Sequence, residues 1–109
     1  MPRDPELEAL VAGDLASLPD LETTVMFGGM AWMWRGNLLC AARADGLLAR
    51  LGKGHESWAL ALHGVGPMAM GDRTMEGWVR IDAETARDQT LRRSLLDAAQ
   101  SFVAGLPAK

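Results

Sequence analysis

The chain has 109 residues, 49% of them hydrophobic and 23% charged, with a net charge of −3 and one cysteine. That is the make-up of one globular domain with a single core. It excludes a disordered chain, which has too little apolar surface to offset ordering, and a disulfide-stapled one, which needs paired cysteines. Residues 1–40 carry two basic against six acidic side chains, and Arg92–Arg93 is the one adjacent basic pair, so direct binding of DNA or RNA through a basic stripe is not expected.

A first helix is predicted from Asp4, a capping residue followed by Pro5 at the first helical position and by Glu6 and Glu8 at the positive end of the dipole. Leu7, Leu10, Val11, Leu15 and Leu18 fall on one face, and Pro19 ends the run. From about residue 23 the period changes to two. The pairs Gly36-Asn37 and Asp45-Gly46 read as tight turns, which predicts strands near 23–27, 29–35, 38–43 and 46–51, with Gly28-Gly29 as a strand bend or bulge. Met30, Trp32 and Trp34 then share one face, while Ala31, Met33 and Arg35 take the other. GKGHESWALALHG predicts a short helix with Trp58, Ala61 and Leu62 facing inward and Gly64 as its stop. RTMEGWVRI predicts a last strand in which Met75, Gly77, Val79 and Ile81 alternate with Glu76, Trp78 and Arg80. A long closing helix starts at Asp82 or Thr85 and carries the stripe Leu91, Leu95, Ala98, Ala99, Phe102 and Leu106. The fold class is α+β: an antiparallel sheet packed with helices in the order α-β-β-β-β-α-β-α, as one domain over 1–109.

No run approaches the roughly 18 apolar residues of a membrane helix, and the acidic start MPRDPELE is unlike a secretory signal, so no membrane contact and a cytoplasmic location are expected. The glycines do not spell a phosphate loop: Gly28-Gly29 leads into a strand, and Gly52-Lys53-Gly54 lacks the hydroxyl residue after lysine. Met26, Met30, Met33 and Cys40 are ligand types that copper(I) favours, yet at strand spacing Met30 and Met33 point to opposite faces, so neither metal nor cofactor is expected. Cys40 has no evident base, since His55 and His63 are spaced as neither an i, i+4 pair nor a dyad. Carboxylates such as Asp82 and Glu84, or Asp72 and Glu76, read as caps and solvated turns. No catalytic residues are expected.

What remains is surface. Four tryptophans and seven methionines are types enriched at recognition interfaces. Met30, Trp32, Met33, Trp34 and Trp78 are therefore the expected interaction surface: with helices covering one side of the sheet, a sheet face or a sheet edge is expected to bind a protein partner or a second copy. The alternative is a small-ligand or soft-metal pocket beside the Met26–Gly29 bend and Cys40. Met26, Phe27, Gly28, Gly29 and Gly77 are expected to serve structure.

The order of motifs is distinctive. DPEL opens the first helix; MFGG precedes an aromatic-methionine strand; G-N-x-L-C, D-G-L-L-A-R-L and P-M-x-M-G-D-R-x-M-x-G-W-V follow; A-G-L-P-A-K closes the chain. Together they resemble the N-terminal domain of the TfoX/Sxy family from about Asp4 to Lys109. The resemblance implies a small α+β domain of the secretion-chaperone-like type and a role like that of bacterial competence regulators, which act through protein contacts. It supplies no catalytic residues. Those regulators carry a second, helical domain, and the present chain is expected to be a stand-alone first domain.

Overall fold

Helix α1 (Pro5–Asp14) begins where expected, with Asp4 accepting the Leu7 N–H at 3.1 Å and Pro5 in the first turn. Its Leu7 and Val11, with Leu15 just beyond, are fully buried. Four strands follow: β1 (Leu21–Met26), β2 (Gly29–Trp34), β3 (Asn37–Arg43) and β4 (Gly46–Arg50). A computed structural model describes residues 3–26, 28–70 and 72–108; Phe27 of the MFGG motif lies outside them.

Each turn differs from its sequence signal by about a residue. Met26 pairs with Gly29, so Gly28, at φ +75°, belongs to a chain reversal rather than to a bend within one strand. Trp34 pairs with Asn37, which puts the second turn at Arg35 and Gly36 (φ +55° and +81°), the left-handed pair that a two-residue hairpin needs. Asn37 is therefore a strand residue. Its buried side chain donates to the Pro107 carbonyl at 2.9 Å, tying the hairpin to the end of the chain.

After a helix of one turn, α2 (Ser57–Leu60), comes a strand that the sequence reading lacks: β5 (Val65–Met70). Gly66 and Pro67 disguise it. Proline has no N–H to give a ladder, and it is tolerated here because β5 is an edge of the six-stranded sheet, whose order is β1-β2-β3-β4-β6-β5 with every neighbouring pair antiparallel. β6 (Arg73–Asp82) and a 3-10 turn (Thr85–Arg87) lead to α3 (Gln89–Ala104). The cap of α3 is Asp88, which accepts the Leu91 N–H at 3.2 Å, so the helix starts later than Asp82 or Thr85.

Helices and sheet enclose the main core, with Trp32, Trp34, Leu39, Cys40, Leu47, Val79 and Ile81 meeting Leu7, Val11, Leu95, Leu96 and Val103. Leu39 and Cys40 are consecutive yet share this face. The β2–β3 register slips there, Trp32 facing Cys40 and Met33 facing Leu38, so Leu39 is the extra residue of a bulge. A second buried cluster lies on the other sheet face: Ala31, Ala41, Leu48, Met68 and Trp78, with Met26, Leu38 and Met75 packed against it. Met75 and Trp78 share that face because Gly77, at φ +85°, interrupts the expected alternation. A Cβ on Gly77 would sit 2.6 Å from the Lys53 nitrogen, so only glycine lets β6 pass that backbone.

Gly29 answers a similar demand. A Cβ there would lie 2.0 Å from the Ala42 carbonyl oxygen, backbone that cannot swing aside. Gly29→Ala is expected to push β2 from β3 and lower stability by about 1–3 kcal/mol, measured as a fall in the urea midpoint without a change in slope.

Candidate interaction surface

The tryptophans expected at the surface are inside. Trp32 and Trp34 fill the helix-side core, and the Trp34 indole N–H donates to the Pro19 carbonyl at 3.0 Å. Trp78 belongs to the second cluster, while Met30 and Met33 are half-buried. The reason is compositional: with no tyrosine and two phenylalanines, tryptophan supplies the buried aromatic rings of a core otherwise built from leucine and other aliphatic side chains. Both sheet faces therefore have buried centres, and Met30, Trp32, Met33, Trp34 and Trp78 do not form one exposed patch. Trp58, expected inward, is instead 45% exposed, and Ala59 is the buried residue of α2.

Nor do Met26 and Cys40 line one pocket, because they join clusters on opposite faces of the sheet. Cys40 is fully buried, and desolvation pushes its thiol well above the ordinary cysteine range. It is expected to be inert to Ellman's reagent in the native protein and to react only on unfolding; fast native labelling would contradict this burial. Among the described residues no group of three His, Cys, Asp or Glu side chains is placed to hold a metal. Arg92 and Arg93, the one basic pair, both bond Asp14.

Two surface features remain. One is a groove of about 550 Å³ between the loop before α2 and the end of α3, lined by His55, Trp58, Ser101, Phe102 and Leu106. The other is the outer edge of β1, beyond which no strand lies among the described residues. Glu22, Thr23, Thr24 and Val25 are exposed in succession, and Val25, 63% exposed, is the most exposed large apolar side chain among the described residues.

The direction of each β1 peptide group follows from one bond. The Arg35 N–H donates to the Asp20 carbonyl at 3.5 Å, in the same register that pairs Leu21 with Trp34. In an antiparallel pair successive residues alternate between facing the partner and facing away. Glu22, Thr24 and Met26 accordingly bond to β2, and Leu21, Thr23 and Val25 turn their N–H and C=O groups outward. Their side chains lie on the helix side, opposite Trp34, Trp32 and Met30.

Natural edges are usually blunted by proline, lysine, bulges or a covering element. The β5 edge has Pro67, a register shift between Pro67 and Ala69, and α2 packed beside it. β1 has no proline, no lysine and no register shift, and Glu22 is its one charge. The sequence signal for this is LETTVM itself, rich in β-branched residues and nearly uncharged.

The family model described as TfoX N-terminal domain matches residues 14–103. No curated protein and no solved structure matches the chain. No helix among the described residues is long and apolar enough to cross a membrane.

Proposed function

The chain belongs to the TfoX N-terminal domain family, and on that premise we propose that it is a non-enzymatic interaction domain, regulatory in role, that engages a protein by pairing an extended segment along β1. One observation carries the reading: β1 offers outward peptide groups at Leu21, Thr23 and Val25 beside an exposed Val25, while the opposite edge is guarded. Strand addition uses such an edge, with main-chain hydrogen bonds giving affinity and alternate side chains giving selectivity. The domain acts in the bacterial cytoplasm, through protein contacts, as the resemblance to competence regulators suggests.

Photo-crosslinking in the source cells tests this. A benzophenone amino acid at position 24 is expected to give a discrete protein adduct, and one at position 67 on the guarded edge is not. Adducts from position 67 alone, or from neither, would overturn the reading.

A further inference from the structure

Resting on that reading, we propose that the strand completing the sheet at β1 is β1 of a second copy, antiparallel, with Thr23 facing Thr23 across a two-fold axis. Strand parity restricts the possibilities. In a symmetric antiparallel pair, residues directly opposite must both face the junction or both face away. Only Leu21, Thr23 and Val25 face outward, so any register that sets an odd-numbered residue against an even-numbered one leaves the junction without bonds.

Three registers obey that parity and keep most of β1 paired; they centre on Glu22, Thr23 or Thr24. Centring on Glu22 puts the two Glu22 carboxylates directly opposite in a non-hydrogen-bonded pair, where Cα atoms approach to about 4.5 Å and like charges repel. Centring on Thr24 leaves Leu21 beyond the end of the facing β1, with its outward groups unpaired. Centring on Thr23 satisfies every outward group of both strands. It sets Leu21 against Val25, a partly buried apolar side chain covering the most exposed one, and Glu22 against neutral Thr24. Threonine against threonine on the axis is a favourable cross-strand pair. The charge pattern of LETTVM thus permits its own antiparallel partner in one register and penalises the neighbouring one. Opposed residues share a sheet face, so both helical layers lie on the same side of the joined sheet.

The test combines mass and register. Purified protein is expected to sediment as a concentration-dependent dimer. Thr23→Lys, which sets two ammonium groups opposite each other on an exposed edge, is expected to weaken it by about tenfold or more with an unchanged circular dichroism spectrum. Under mild oxidation Thr23→Cys is expected to form an intermolecular disulfide and Thr24→Cys not, because two residues 24 are offset along the strands beyond the roughly 7 Å that a disulfide spans. Buried Cys40 does not compete. A dimer indifferent to Thr23→Lys, or crosslinked through position 24 and not 23, overturns the proposal. So does a monomer at every concentration. If that monomer still gives an adduct of another mass at position 24 in cells, the edge reading stands and the self-pairing fails; if position 24 gives none, both fail.

Discussion

Arg92→Leu is expected to lower the unfolding free energy by about 3–5 kcal/mol, the usual cost of leaving a buried charge without its partner. The Arg92 and Asp14 side chains are 3% and 5% exposed. The Arg92 guanidinium donates through Nε and Nη2 to the two Asp14 oxygens and through Nη1 to the Ala86 carbonyl, so one side chain pins α1, the 3-10 turn and α3 together. Arg93 adds a bond to Asp14 at 3.0 Å from the solvent side. Burial pushes the Asp14 carboxyl up, but the bonds from Arg92 and Arg93 outweigh it and hold it below the ordinary aspartate range. The sign follows. A carboxyl depressed in the folded state adds stability above its unfolded pKa, about 3.9, and that contribution is lost as pH falls through the lower folded value. Urea unfolding at neutral pH measures the first effect, and a series down from about pH 5 the second. In Arg92→Leu the acid-dependent part is expected to shrink. Adding Asp14→Leu, which removes the buried charge left with Arg93 alone, is expected to restore part of the loss, and a double variant no better than the single one would contradict this account.

Trp34→Ala is expected to cost about 3–5 kcal/mol, as large-to-small changes at packed aromatic sites do. Trp34 is 7% exposed, packs among the helix-side core, and its indole N–H is the hydrogen-bond partner of the Pro19 carbonyl. Trp34→Phe keeps most of the volume and loses that bond, for an expected cost of about 1 kcal/mol. The comparison separates the two roles the sequence allows a tryptophan. An interface residue, truncated, leaves the isolated chain as stable as before and weakens association; a core residue unfolds it. Thermal and urea midpoints of Trp34→Ala close to the parent values would return Trp34 to the surface.

Much of the architecture was legible because its signals are local. The Asp4 cap, the change of period near residue 23 and the split of Met30, Trp32 and Trp34 from Ala31 each follow from neighbours in sequence, and each is present in the fold, the first strand starting at Leu21. The departures come from distant contacts. β5 is a strand because β6 lies beside it, despite Gly66 and Pro67. Leu39 and Cys40 share a face because β3 bulges against β2. Arg92 looks like a solvated cation until α1 brings Asp14 to it. The tryptophans depart from expectation for a related reason: residue type alone cannot say whether a tryptophan fills a core or covers an interface, and in this chain without tyrosine Trp32, Trp34 and Trp78 are buried. The edge of β1 needed strand order as well as sequence, since LETTVM is inconspicuous until its position at the end of the sheet is known.

Residue-resolved amide hydrogen exchange over a range of protein concentration tests the self-pairing of β1 most directly. Glu22 and Thr24, bonded to β2, are expected to be protected at every concentration. Thr23 and Val25 are expected to exchange freely when dilute and to become protected together as copies pair through Thr23. Free exchange of Thr23 and Val25 at concentrations where the protein sediments as a dimer would contradict it.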